Sequence, residues 1–217
     1  MAIVAHELQS PLAGMRALLR TVSDASPADV RKLQEVSRAC AEMHGTIARL
    51  IDAHAAEVGE AKLEIVDIDA LFARATAAAA AVAAEKRIRI VCEPSWLRAP
   101  AEPRLLSHAL GNLISNALKY SPLGSAVRLK AEARGAGVRL CVSDRGPGIA
   151  PEEADRLFGK FARLSALPTA AEPSSGLGLY IVRILAEGMG AAAGWEPNRR
   201  AAACSFSICR RRAGVNG

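Results

Sequence analysis

Asn112-Leu113-Ile114-Ser115-Asn116-Ala117-Leu118-Lys119-Tyr120-Ser121-Pro122 is the second half of a segment, 104–120, whose pattern predicts a helix. Leu106, Leu110, Leu113, Ile114 and Ala117 recur at steps of three and four and make a stripe to be buried. Asn112, Asn116 and Lys119 stand in register opposite it. Asparagine is a poor helix-interior residue because its amide competes for the backbone, so two of them aligned with a lysine need a reason. A divalent cation with oxygen ligands supplies one, with phosphates for the lysine, since Mg²⁺ takes few protein ligands and lets substrate phosphates complete its shell. A merely solvated polar face is the competing reading.

Working outward toward the carboxy terminus, strands are expected over 126–133 and 138–143, joined by Gly135-Ala136-Gly137. Asp144 ends the second strand and is followed by Arg145-Gly146-Pro147-Gly148-Ile149. Gly146 and Gly148 would let backbone approach a flat ligand, and an ionised carboxylate only accepts hydrogen bonds, as an exocyclic amine such as adenine N6 requires. A long glycine- and proline-bearing segment runs to Ser175. There Ser175-Gly176-Leu177-Gly178-Leu179 opens a helix, 177–187, whose exposed N–H groups suit phosphates. It is neither a Walker A loop, lacking the G-K-[ST] ending, nor a Rossmann fingerprint, lacking a βαβ unit. Strands over 191–195 and 202–209 close the chain.

Toward the amino terminus, 63–68 alternates like a strand, Asp69 is expected to cap an alanine-rich helix to about 86, and 88–93 is a second strand. Pro94, Pro100 and Pro103 punctuate the approach to the asparagine helix. Runs of strands and helices without strict alternation imply an α+β sandwich. Gly59 marks a linker. Ahead of it, Val4, Leu8, Leu12, Met15, Leu18, Leu19 and Val22 line one side of a helix from which His6 and Ser10 project on the other, one turn apart. Glu7 is placed to take a ring proton or fix the tautomer of His6, a largely neutral imidazole near pH 7. Pro11 kinks the helix just beyond the pair. Ser10 stands where H-E-x-x-H needs its second ligand, which excludes a zinc protease.

A second helix, capped by Ser26 with Pro27 at its first position, runs to about 58 with Leu33, Val36, Cys40, Met43, Ile47, Leu50 and His54 along one seam. A hairpin of two such helices cannot cover both stripes alone, and pairing two copies into a four-helix bundle predicts a homodimer. His44 and His54 read as structural, having no carboxylate or cysteine at ligand spacing. The chain is thereby divided into a hairpin, 1–60, an α/β sandwich, 61–212, and a tail, 213–217.

Composition agrees with a folded, helix-rich protein: 51% hydrophobic, 23% charged and 4% aromatic residues in 217. A formal charge of +6 suits polyanionic ligands such as nucleotides. Arg199, Arg200, Arg210, Arg211 and Arg212 carry much of the excess without interleaved aromatics, so direct nucleic-acid binding is not expected. The five cysteines are scattered and free of C-x-x-C pairs, the pattern of reduced thiols in a cytoplasmic protein. No stretch reads as a signal peptide or membrane span; the alanine run 77–84 is too short to cross a bilayer.

Taken together, these stretches resemble the catalytic core of a sensor histidine kinase of two-component signalling. His6-Glu7-Leu8-Gln9-Ser10-Pro11-Leu12 is similar to the family's H box, 112–122 to its N box, Asp144-Arg145-Gly146-Pro147-Gly148-Ile149 to its G1 box, Leu157-Phe158-Gly159-Lys160-Phe161-Ala162-Arg163 to its F box, and Ser175-Gly176-Leu177-Gly178-Leu179 to its G2 box. The resemblance implies a dimerising histidine-phosphotransfer hairpin followed by an ATP-binding sandwich of the Bergerat type, with a lid between Arg145 and Ser175. It implies that His6 is phosphorylated from ATP with Glu7 as base, that Asn116 holds Mg²⁺ with Asn112 nearby, that Lys119 and Tyr120 touch phosphates, and that Asp144 reads adenine. Ser10 would orient a water for removing phosphate from the partner, the receiver domain of a response regulator. Phosphoryl transfer depends mainly on positioning and charge neutralisation, so so sparse a set suffices chemically.

Two departures stand out. Ser174 replaces the glycine that usually begins the G2 box, and only five residues precede His6, which points to a truncated core, attached to a membrane, if at all, through an upstream segment. The Ser174 change motivates an alternative, a pseudokinase scaffold or a phosphatase of the regulator. An ATPase of the gyrase, mismatch-repair or chaperone type shares the nucleotide site but leaves the exposed His6 without a role. His108, beside the asparagine stripe, is expected to be a surface residue.

Overall fold

A computed structural model of the chain describes residues 62–135, 137–159, 162, 169, 178–198 and 203–210. The expected hairpin with His6, Glu7, Ser10, His44 and His54, the linker, Ser174 to Leu177 and the tail lie outside the described residues. Those that are described belong to the second of the two units into which the chain divides, Ala56–Gly217. Among them no helix is long and apolar enough to cross a membrane.

Strand β1 (Glu64–Asp67) leads straight into helix α1 (Ile68–Glu85), then come β2 (Arg89–Cys92), β3 (Arg98–Ala101) and helix α2 (Pro103–Tyr120). After α2 follow β4 (Ala126–Arg134), β5 (Gly137–Ser143), a 3-10 turn (Pro151–Arg156), helix α3 (Gly178–Gly188), β6 (Ala191–Asn198) and β7 (Ala203–Arg210). Five strands form one sheet in the order β2-β4-β5-β7-β6, in which β2 and β4 are parallel and the other pairs antiparallel. β1 and β3 form a separate antiparallel ribbon, Ile65 opposite Pro100.

The sandwich follows from burial that is one-sided along β4 and reaches both faces along the central β5, where Arg139 and Cys141 are also buried. Val127 and Leu129 of β4 and Leu140 and Val142 of β5 turn inward and are buried, whereas Arg128 and Lys130 between them point out. Onto the inner face pack Ile68, Leu71 and Phe72 of α1, Leu110, Leu113 and Ile114 of α2, and Ile181 and Leu185 of α3, all but withdrawn from solvent. The outer face is instead laced with ion pairs, Arg128–Glu93 at 3.3 Å and Lys130–Glu132 at 2.7 Å. The Lys130 ammonium lowers the Glu132 carboxyl below its ordinary value, by hydrogen bonding first. Exposed pairs of this kind contribute little to stability.

The α+β sandwich expected from the sequence is the observed architecture, with two local corrections. Asp67, not Asp69, is the N-cap of α1: its side chain accepts from the Ala70 N–H at 3.0 Å. Asp69 lies inside the first turn and holds the loop before β3, accepting from the Ser95 N–H, the Ser95 hydroxyl at 2.7 Å and the Trp96 N–H at 2.8 Å. Secondly, the proline-punctuated stretch before α2 contains a strand. β3 carries Pro100 at the rim of a two-stranded ribbon, a place where a missing N–H is tolerated.

Candidate nucleotide site

α2 supplies the site's floor. Its N-cap is Glu102, whose carboxylate accepts from the Leu105 N–H, with Pro103 in the first turn. The expected buried stripe, Leu106, Leu110, Leu113, Ile114 and Ala117, is buried throughout. The opposite stripe is not the open face that the sequence suggested. α2 contacts both α1 and α3, and Asn112 is only 8% exposed, while Asn116, Lys119 and Tyr120 are half-buried. His108, four residues before Asn112, is also half-buried rather than a surface residue, with Nδ1 out of reach of solvent.

Among the described residues the buried Asn112 Nδ2 has no hydrogen-bond partner. An amide donor left in that condition is costly, and an acceptor such as a phosphate oxygen or a water would satisfy it. Asn116 meets the first residue of α3: a Cβ built on Gly178 would come within 3.4 Å of Asn116 Nδ2 and 3.5 Å of Oδ1. The start of that helix therefore lies within ordinary van der Waals reach of the amide. The other three residues of the G2 stretch, Ser175, Gly176 and Leu177, lie outside the described residues.

Asp144 follows β5 and is 5% exposed, and its Oδ1 accepts from the Gly146 N–H at 2.7 Å in an Asx-type turn. A Cβ on Gly146 would stand 2.8 Å from that same oxygen and 3.0 Å from the Tyr120 carbonyl. Gly146 therefore lets the Asp144 turn press against the end of α2, a closeness within the protein itself that the sequence reading had assigned to a ligand. Gly148 has φ +80°, the left-handed region in which glycine is at ease.

Two residues that sequence reasoning missed complete this junction. The Lys86 Nζ donates to the Leu118 carbonyl at 3.1 Å, and Thr169 donates twice, from N–H to the Lys119 carbonyl at 3.1 Å and from its hydroxyl to the Ser121 carbonyl at 2.9 Å. Neither belongs to a motif; each contact is to backbone and spans at least 32 positions, so no local signal marks them.

The donor set suits an Mg²⁺-bound polyphosphate. Hard oxygens are what Mg²⁺ prefers, and Asn112 and Asn116 bring amide oxygens while Lys119 brings a cation for phosphate. Among the described residues no group of three or more His, Cys, Asp or Glu side chains gathers, so these amides are the metal-binding chemistry the described part of α2 offers. The structure brings Asn116, Gly178, Tyr120, Gly146 and Asp144 into one neighbourhood through the contacts just given.

A mixed sheet under three helices, with an asparagine helix braced between a glycine-started helix and an aspartate–glycine turn, defines a nucleotide-binding sandwich of the Bergerat type. A family model described as histidine kinase-, DNA gyrase B- and HSP90-like ATPase matches residues 101–210, and the chain belongs to that family, as the catalytic core of a two-component sensor histidine kinase. It is 35% identical over 181 residues to the sensor protein CreC of Escherichia coli, covering 82% of this chain and 38% of that protein. With the sensor-like histidine kinase SenX3 of Mycobacterium tuberculosis it shares 34% identity over 193 residues, 85% of this chain and 47% of the relative. The structure of full-length ShkA in complex with AMPPNP superimposes with a TM-score of 0.75 at 26% identity, over 96% of this chain and 44% of that one. The chain thus spans less than half the length of these relatives.

Proposed function

We propose that the chain is an ATP-dependent autokinase in which an imidazole nitrogen of His6 attacks the γ-phosphorus of ATP. A P–N bond forms, the bond from the γ-phosphorus to the β,γ-bridging oxygen breaks, ADP leaves, and Glu7 takes the ring proton. The phosphoryl group then passes to an aspartate in the receiver domain of a response regulator, and Ser10 orients the water that later removes it. The chain acts as a homodimer through the segment 1–60.

Within 62–210 the residues divide the nucleotide between them. Asp144 accepts from the adenine amine, its turn held shut by the Gly146 N–H. Lys119 and Tyr120 contact phosphates, as do the N–H groups of Ser175 to Gly178. Asn116, with Asn112 beside it, supplies amide oxygens to Mg²⁺, whose charge when bound would neutralise the phosphate oxygens. The observation that carries the reading is the meeting of Asn116 with the start of α3, and of the Asp144–Gly146 turn with the end of α2, beside a buried Asn112 whose Nδ2, without a partner among the described residues, suits a phosphate oxygen.

Incubation with γ-labelled ATP and Mg²⁺ tests the proposal. Acid-labile label is expected on the wild-type chain and absent from His6→Gln, and Asn116→Asp should lose labelling while keeping the fold and oligomeric state of the wild type. Free phosphate without labelled protein would make the chain an ATPase instead. Label in neither wild type nor variant would favour the scaffold reading that Ser174 motivates.

A further inference from the structure

A helix leaves its last carbonyls without donors from its own backbone, and where they are satisfied decides how the last turn is aimed. At the end of α2 the Ser121 N–H returns to the Ala117 carbonyl at 3.0 Å, and the next carbonyl, Leu118, accepts from Lys86. The Lys119 carbonyl accepts from Thr169, and that of Tyr120 faces Gly146. Lys86 is 6% exposed, an unusual place for an ammonium. It sits where α1 ends: its N–H donates to the Val82 carbonyl at 3.2 Å and its carbonyl accepts from the Gly124 N–H at 3.1 Å. Backbone bonds on both sides thus fix the base of the side chain. Its head meets the negative end of the α2 dipole, where a cation is favoured.

We propose that Lys86 is a positioning residue for the phosphate end of the nucleotide site: by gripping the Leu118 carbonyl it sets the last turn of α2, and so the direction in which Lys119 and Tyr120 leave the helix. The inference rests on the nucleotide-binding reading above. Leu118 immediately precedes Lys119, and a misplacement of about 1 Å is enough to spoil an aligned contact. The Asp144 carboxylate is held by the Gly146 N–H, a bond that Lys86 does not make, and it meets α2 at the Tyr120 carbonyl, two residues beyond the carbonyl Lys86 grips.

The test compares ADP, which reaches both ends of the site, with adenosine, which lacks phosphates. Dissociation constants for each are measured by competition against a fluorescent ADP analogue on the full chain with Mg²⁺. Lys86→Met keeps the length of the side chain and removes its donors and charge. ADP should bind about tenfold more weakly to it, and adenosine within about twofold of wild type, as expected for one lost charge-assisted contact. Lys86→Arg, which restores a buried donor, should recover part of the ADP affinity. In a Lys119→Met background, Lys86→Met should cause a smaller further loss than in wild type, since part of its effect acts through Lys119 and only the Tyr120 part remains. A merely structural role predicts the opposite on both counts: ADP and adenosine weakened in proportion, and losses that add. Either result overturns the inference. If Lys86→Met does not fold, Lys86→Gln is read by the same ratio. A wild-type chain that binds neither ligand overturns the nucleotide reading itself, whereas one that binds both and is matched by Lys86→Met overturns only the role of Lys86.

Discussion

Asn112 concentrates the conflict between stability and chemistry in one side chain. Its Nδ2 is buried without a partner among the described residues, and such a group costs about 1–3 kcal/mol. Asn112→Leu replaces the amide by an apolar side chain of similar volume, so the nucleotide-free chain should gain about 1 kcal/mol, a rise in Tm of roughly 2–4 °C. The same variant should lose tenfold or more of its labelling rate, about 1.4 kcal/mol in the barrier. A lower melting temperature would show the amide to be structurally engaged after all. Gly146 makes a second test on a different atom. Alanine there must displace the Asp144 carboxylate or the end of α2, since its Cβ would sit 2.8 Å from Asp144 Oδ1 and 3.0 Å from the Tyr120 carbonyl. Gly146→Ala should cost about 1–2 kcal/mol of stability and at least about tenfold in ADP affinity by titration calorimetry. Wild-type affinity in a folded Gly146→Ala would mean that the Asp144 turn does not face the base.

Among the elements, the loop between β2 and β3 shows why a sequence reading goes only so far. Trp96 is 89% exposed and has φ +57°, a left-handed conformation that costs a non-glycine residue about 1–2 kcal/mol. What holds it is Asp69 in the first turn of α1, 27 positions away. The Trp96 amide, then the Ser95 hydroxyl, lowers the Asp69 carboxyl from its ordinary value of 3.8. A lowered carboxyl contributes stability that is complete above that ordinary value and fades as pH falls through the lowered one. In Asp69→Asn, the decline of the unfolding midpoint as pH falls below about 4 should therefore be shallower than in wild type; parallel curves there would refute the link. The same loop explains the misreading of the cap. Asp67 and Asp69 both stand before the alanine pattern, and only the partners, Ala70 for one and Ser95 with Trp96 for the other, tell them apart. The long helices and paired strands were legible because periodicity repeats over many residues. β3 was not, because four residues containing Pro100 give no alternation to count. At the site, Asn112, Asn116, Lys119 and Asp144 announce themselves by residue type, whereas the burial of Asn112 and the grip of Lys86 exist only after folding.

Across the whole molecule, the chemistry assigned to the chain is divided between its two ends, a histidine at position 6 and nucleotide-holding residues from 112 onward. The second part has its own core and, in the function proposed, its own ligand, and mass action then ties the two properties together. A ligand that binds the folded state alone stabilises it by about 2.7 kcal/mol at one hundred times its dissociation constant. For a unit of this size that is a rise in Tm of roughly 5–10 °C. ADP with Mg²⁺ should produce such a rise in the wild-type chain and in His6→Gln alike, because His6 takes no part in holding ADP. Chelating the Mg²⁺ should remove much of the shift, and in Asn116→Asp the difference with and without Mg²⁺ should largely vanish while a smaller shift from the base contact at Asp144 persists. A shift in Asn116→Asp as large and as Mg²⁺-dependent as in wild type would move the metal off α2. A shift lost in His6→Gln would instead make the amino-terminal segment part of the binding site, contrary to the division of labour assigned here.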